Sequence, residues 1–455
     1  MNLWLAYIFA LIKRKKNFLF AVLFLVVLIT SAGFFLSKEL FKRTLTEGFI
    51  GTYQEKDLPE TVTHLLSKSL VTLDKSGVPQ KELAEGWEVN ENATEYIFTL
   101  KPQMKWSDGV EVKSSDIEFS IPDVEITYPE ANKIKFKIAD SFSPFPTLLT
   151  KPIFRKGTLI GVGPYSLNQI KKDGLFIKRL SLSASDPNLP QLIIKFYPSE
   201  KIAKTAMKLG EVESLFGISE LSNQNENPQL KVWTMTNYEQ LVTIFYNAKD
   251  PILSDENFRL ALSYMAPSIP GEEQSITSLP PDSWAFNKDV KDFLDNDEAG
   301  KASLQKVKNG KDSTITLTVT TSLKSIGNQV VEAWKRNGVN AVVSEESGVP
   351  QNFQALLITQ NIPADPDQYA LWHSTQLGGS NISQYASPRI DKNLEDGRKL
   401  TDFETRKAKY HDFQKTLLDH APATFLYFPK YNIEYMKKSE SKLMELLKLQ
   451  FPQKN

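Results

Sequence analysis

Four histidines, at positions 64, 373, 411 and 420, are the side chains best suited to proton transfer or metal ligation near neutral pH. None lies in an H-E-x-x-H helix or at a spacing typical of zinc ligands. His411 and His420 fall on or beside a capped helical segment, where surface or satisfied-core roles are expected. No G-x-S-x-G elbow and no G-x-x-x-x-G-K-[ST] phosphate loop occurs. Gly161-Val-Gly163 lacks the third glycine of a dinucleotide fingerprint, position 166 being Ser166, and Pro164 removes an N–H that a phosphate would use. Asp365 and Asp367 are close in sequence, but that spacing alone does not aim two carboxylates at one substrate. The chain has no cysteine, which excludes thiolate nucleophiles, iron–sulfur clusters and cysteine-rich zinc sites. No reactive constellation emerges, so neither catalysis nor a metal or cofactor is expected.

The elements that would position a binding site are more informative. At 455 residues, with 41% hydrophobic and 24% charged residues, the chain is an ordinary globular protein of two or three lobes. Lys+Arg and Asp+Glu are both 54, which gives no electrostatic reason to expect nucleic acid as a partner.

Phe18 to Leu36 contains no charged residue, and as a helix these nineteen residues would extend about 28 Å, close to the thickness of a bilayer core. Lys13, Arg14, Lys15 and Lys16 precede it, which favours a cytoplasmic N-terminus and an external body. An uncleaved single-pass anchor is the leading expectation. A cleaved signal peptide ending near Ser31-Ala32-Gly33 is the alternative. Without cysteine, lipid attachment as a bacterial lipoprotein is excluded.

In the exported body, Glu95–Leu100 and Lys133–Ile138 alternate in hydrophobicity and read as strands of a small antiparallel lobe, with Ser107-Asp108-Gly109 as a turn between them. Gln191–Tyr197 is a near-continuous apolar run, followed by a helix with Ser199 as cap and Ile202, Ala206 and Leu209 on one side. A second βαβ unit comprises a strand with Ile315, Leu317 and Val319, a helix with Ile326, Val330, Ala333 and Trp334, an Asn337-Gly338 stop, and a strand from Val339 to Val343. Ser254 is expected to cap a helix bearing Phe258, Ala261, Leu262 and Met265; Thr401 and Glu404 are expected to form a capping box that opens another. Thr424–Phe428 reads as a buried strand. Two α/β lobes with a β-rich appendage result, and a cleft between lobes is where a small ligand would sit.

Particular segments carry a family resemblance. Leu83-Ala-Glu-Gly-Trp-Glu-Val89, Tyr96-Ile-Phe-Thr-Leu100, Met104-Lys-Trp-Ser-Asp-Gly109 and Ser115-Asp116 resemble the signature of family 5 extracellular solute-binding proteins, the peptide- and nickel-type substrate-binding subunits of ABC importers. Thr46–Gly51, Gly161-Val-Gly-Pro-Tyr165, Phe258–Tyr264, Pro363-Ala-Asp-Pro-Asp-Gln-Tyr369, Trp372-His-Ser374, Ser383-Gln-Tyr385 and Pro388-Arg-Ile-Asp391 extend it in order, as do Arg406 and Tyr410. The resemblance spans roughly residues 45–435.

It implies a two-lobed periplasmic-binding-protein-like (type II) α/β fold with a small β-rich third lobe, here preceded by one transmembrane helix. The expected organisation is 1–44 for cytoplasmic N-terminus and anchor; 45–83, 157–246 and 421–440 for lobe I; 84–156 for lobe II; 247–420 for lobe III; and 441–455 for a C-terminal tail. It also implies capture of oligopeptides or similar solutes by a monomeric receptor that serves an ABC permease and its ATPase. A membrane-anchored surface peptide-binding or chaperone protein with no transport role is the alternative. Trp284 and Trp372 are candidate aromatic pocket walls, with core packing as the competing role. Asp365 and Asp367 are candidate ligand contacts, or turn residues flanking Pro366. Tyr246 and Asn247 are expected where a strand crosses between lobes, as hinge or ligand contact. The chain departs from the family's pattern twice: the segment after Asp116 is short, and Ile362 stands where peptide binders often carry an acidic residue, leaving Asp365 or Asp367 to substitute.

Overall fold

The computed structural model describes residues 44–348 and 350–452. The apolar run 18–36, expected as the anchor, lies outside the described residues; among the described residues no helix is long and apolar enough to cross a membrane.

The described chain opens with β1 (Thr44–Ile50), α1 (Glu60–Leu66) and a hairpin of β2 (Val71–Leu73) and β3 (Pro79–Lys81). Next come β4 (Ala84–Val89), β5 (Glu95–Leu100), β6 (Val124–Glu130) and β7 (Lys133–Ile138), an antiparallel sheet in the order β4-β5-β7-β6. Alternation puts Tyr96, Phe98 and Leu100 of β5 and Ile134 and Phe136 of β7 on one buried face, where Phe98 and Phe136 meet edge to face at 5.7 Å. Trp106 joins that core. The Ser107-Asp108-Gly109 turn is held by Gly109 at φ +86° and by an Arg155–Asp108 ion pair at 2.7 Å.

The chain then forms β8 (Tyr165–Asp173), β9 (Phe176–Ala184), β10 (Gln191–Tyr197), α2 (Glu200–Lys208), β11 (Ser214–Phe216) and β12 (Leu230–Thr236). A second series follows: β13 (Gln240–Tyr246), α3 (Glu256–Tyr264), β14 (Glu273–Gln274), α4 (Asp297–Gln305), β15 (Ile315–Thr320), α5 (Lys324–Arg336), β16 (Ala341–Glu346) and β17 (Ala355–Asn361). The last elements are α6 (Tyr369–Trp372), α7 (Pro388–Lys399), α8 (Phe403–His420), β18 (Ala423–Phe428), β19 (Lys430–Met436) and α9 (Glu440–Gln450).

Two larger sheets result. The first has the order β12-β19-β11-β1-β10-β9-β8 and the second β14-β18-β13-β17-β15-β16. In the first, β10 and β11 flank β1 in parallel and are joined by α2; in the second, β15 and β16 are parallel neighbours joined by α5. Trp334 on α5 is fully buried and donates its Nε1–H to the Leu262 carbonyl at 2.9 Å, locking α5 to α3. The chain crosses between these sheets at 237–239 and again at Pro429, and the two crossings are bonded to each other, Asn237 N–H to Pro429 O at 2.8 Å. Strands β13 and β18 therefore belong to the second sheet. Helix α9, within the expected tail, packs Leu443, Leu446 and Leu447 into the first lobe's core.

Three local expectations are corrected. Helix α2 buries Ala203, Ala206 and Met207, whereas Ile202 and Leu209 are 49% and 73% exposed. The small alanines allow close approach to the sheet, which outweighs the bulkier stripe. Ser254 donates to the Pro251 carbonyl, while the carboxylate of Asp255 accepts from Asn257 N–H and caps α3. Asp402, not Thr401, caps α8 by accepting from Thr405 N–H at 3.0 Å, a carboxylate being the stronger acceptor in each case.

Candidate functional site

A cavity of about 370 Å³ lies at the C-terminal edge of the parallel strands β1 and β11, beside the 237–239 crossing. In α/β sheets that edge is where loops diverge and leave room for a ligand. Phe49, Tyr53, Phe216, Tyr431 and Phe451 supply aromatic walls, and Phe49 stacks on Phe216 at 4.4 Å. Glu60, His64 and Glu239 line the cavity too. Burial lowers the His64 imidazole below its ordinary value, against the opposing fields of Glu60, Glu82 and Glu239, so the neutral ring is favoured.

Gln450, 1% exposed, also lines the cavity and donates its Nε2–H to Glu47 at 2.8 Å. Glu47 points from β1 into the first lobe's interior, and burial pushes its carboxyl up to about 8 despite that hydrogen bond. A buried acid of that strength is protonated at neutral pH.

None of the six residues singled out in the sequence lines this cavity. The structure brings Trp284, Asp365, Asp367 and Trp372 together in the second lobe. Asp365, 5% exposed, is held by Arg406 at 2.8 Å, and the Arg406 guanidinium lies 5.1 Å over the Trp284 ring. Burial raises the Asp365 carboxyl while Arg406 pulls it back. Asp367 pairs with Arg398 at 2.7 Å and accepts from Tyr369 N–H. Trp372 is buried and donates its Nε1–H to Gln368. Tyr246 and Asn247 sit apart from that group. Tyr246, fully buried, bonds Thr424 at 2.7 Å, and Asn247 donates to the Phe353 carbonyl. They lie at the end of β13 remote from the 237–239 crossing.

Trp284 also marks where the lobes touch. Its backbone N–H donates to the Ser76 carbonyl at 2.8 Å, which docks the β2–β3 hairpin on the second lobe. Gly77 at that tip has φ +82°, and a Cβ there would lie 3.1 Å from the Ala364 carbonyl oxygen.

The cavity residues escape a sequence reading because each comes from a different segment and resembles core. The nearest signal is polar Asn237-Tyr-Glu-Gln240 between two apolar strands, which marks the crossing. Among the described residues there is no group of three or more metal-ligating side chains. The arrangement has an aromatic receptacle, carboxylates at its side and a jointed pair of lobes.

The model of the bacterial extracellular solute-binding proteins, family 5 (middle region), matches residues 78–125 and 121–381, more than half of the chain. The chain belongs to this family. Its members are solute-binding proteins rather than enzymes. Among curated relatives, the oligopeptide-binding protein AppA of Bacillus subtilis (strain 168) is 23% identical over 466 aligned positions, covering 84% of this chain and 84% of that protein. Among solved structures, the fold recurs in NikZ from Campylobacter jejuni in complex with Ni(L-His), with a TM-score of 0.68 and 20% identity over 87% of this chain and 94% of that one. It recurs in Bacillus subtilis AppA in complex with a nonapeptide, with a TM-score of 0.64 and 19% identity over the same shares. One fold thus surrounds ligands as unlike as a metal chelate and a nonapeptide, so the family sets the architecture and the cavity lining must set the ligand.

Proposed function

We propose that this chain is the solute-capturing subunit of an ABC importer, taking peptides or similar solutes outside the membrane and passing them to a permease energised by an ATPase. The observation that carries the reading is the cavity beside two bonded crossings, the arrangement that lets lobes close on a guest by hinge motion. Relatives named for binding oligopeptides support the solute class.

In this reading the residues 284, 365, 367 and 372 shape the second lobe's wall, and 246 and 247 brace its central strand. The chain acts as a monomer. Its 18–36 run serves as a single-pass anchor that holds the receptor near its permease, raising the local concentration without lipidation. Mass spectrometry of solutes that co-purify with the full-length chain, with intrinsic tryptophan titration, tests capture; absence of any bound or bindable solute rejects it. Carbonate extraction of membranes with N-terminal sequencing tests the anchor, and a soluble product starting near position 33 rejects it.

A further inference from the structure

The first lobe buries an acid for which solute capture by itself has no use, and that acid sits directly behind one wall of the cavity. Glu47 on β1 is fully buried, and its partner Gln450 ends α9 and lines the cavity together with Phe451 and Pro452. We propose that Glu47 and Gln450 form a proton latch. A reciprocal pair of hydrogen bonds between a protonated carboxyl and an amide holds the last turn of α9 on β1, and loss of the proton to solvent frees the 450–452 wall. Its role as a gate rests on the solute-capture reading.

The geometry asks for one more proton. Gln450 Nε2–H donates to Glu47 Oε2 at 2.8 Å, yet the other oxygen of each group, Glu47 Oε1 and Gln450 Oε1, is buried and without a hydrogen-bond partner among the described residues. Two acceptors left over on a pair already joined at its other side are satisfied together if Glu47 Oε1–H donates to Gln450 Oε1. An ionised carboxylate leaves both orphaned, which is costly away from water. The elements packed around Glu47 offer it no cation: burial and the Gln450 amide are what act on its carboxyl. Strand β8 brings Tyr165, raised by burial and then by Glu47, and β19 brings Tyr431, raised by burial, then Tyr53, then Glu47. Helix α9 adds Glu445, which also acts on Tyr165. Ser214 on β11 stands opposite Glu47 in the parallel register. Helix α1 gives Val62, Leu65 and Leu66 to this core, while its Glu60 and His64 line the cavity. Charge at Glu47 is therefore relieved by admitting water, and the shortest way in is the end of α9, where Phe451 is half-buried and Pro452 exposed. Because the folded carboxyl is pushed up to about 8, the latch is closed at neutral pH and opens as pH rises through that value.

The test follows the full-length chain in detergent at about pH 6.5 and about pH 9 by hydrogen exchange, by infrared difference spectroscopy and by retention of a tripeptide library. At the higher pH residues 446–452 are expected to exchange about tenfold faster than in Glu47→Gln, while residues 96–100 of the small lobe exchange alike in the two chains. The infrared band of a protonated carboxyl should be present in the parent chain at the lower pH and missing in Glu47→Gln. Peptide retention should fall about tenfold between the two pH values in the parent chain, following the protonated fraction, and less than about twofold in Glu47→Gln. Gln450→Met removes the amide without adding charge and should exchange fast at 446–452 already at the lower pH, which keeps the test decisive if Glu47→Gln does not fold. Exchange at 446–452 equal to that of Glu47→Gln at both pH values, or no protonated carboxyl at the lower one, overturns the latch even with peptides retained. A latch that opens while retention stays the same at both pH values overturns its role as a gate and leaves solute capture standing. Opening with no peptide retained at either pH rejects solute capture and leaves the latch as a property of the fold.

Discussion

Ser143 donates its backbone N–H to the Arg398 carbonyl at 2.7 Å, a bond that ties the small lobe to the second lobe. The Arg398 side chain continues the tie: its guanidinium lies 5.2 Å from the centre of the Phe142 ring and 4.0 Å from that of Tyr369. Tyr369 then stacks on His373 at 3.9 Å, and Asp367 fixes the guanidinium from the side. A planar guanidinium suits this position because it stacks and pairs at once, which an ammonium cannot.

Replacing that side chain is therefore expected to free the small lobe. Arg398→Ala should cost about 2 kcal/mol in urea denaturation, since it leaves the Asp367 carboxylate buried without its cation. Hydrogen exchange in residues 139–150 should rise, with Arg398→Lys intermediate. Unchanged exchange there would remove the clasp from the account.

The Arg406–Asp365 pair is deeper and should matter more. Arg406→Met is expected to destabilise by about 3–5 kcal/mol because it strands a buried carboxylate. Adding Asp365→Asn should recover part of the loss, since the stranded charge is then gone. A double variant no more stable than the single one would contradict this.

Lobe contact at the β2–β3 tip depends on a missing side chain. Gly77→Val combines an unfavourable positive φ with a clash at the Ala364 carbonyl. A loss of about 1–3 kcal/mol and a red shift of Trp284 emission are expected, as the hairpin lifts from the indole. Emission identical to the parent chain would show that the hairpin docks without needing that glycine.

Glu47 gives a pH signature. Its folded value of about 8 lies above the ordinary 4.5, so its stabilising contribution is complete below the lower value and lost as pH rises through the upper one. Glu47→Gln keeps the amide partner and removes the titration. From pH 5 to 8.5 the variant should gain on the parent chain by on the order of 3 kcal/mol, read from denaturation at each pH. Parallel pH profiles for the two chains would refute the buried-acid assignment.

Legibility in the sequence followed the range of the interaction involved. The alternation of Tyr96, Phe98 and Leu100 and the Ile315–Thr320, Lys324–Arg336 and Ala341–Glu346 succession could be read because period and stop signals are local. Helix α2 was misphased because alanine's advantage appears only against the sheet it approaches. The cavity could not be read at all: Phe49, Glu60, Glu239 and Gln450 meet only through sheet order. Likewise, nothing near Asp365 or Asp367 in the sequence announces Arg406 or Arg398 as their partners. Gly161 and Gly163 belong to a segment read only for its family resemblance and its missing third glycine, yet their requirement is steric, since a Cβ on either would fall within 2.4 Å of Leu66 or Ser67 atoms.

Strand β19 lies between β12 and β11, so β12 cannot join the first sheet until residues 430–436 are available. During synthesis, which proceeds from the N-terminal end, β12 therefore waits without a strand neighbour until almost the whole body has been made, and the lobe that carries the cavity is the last to be finished.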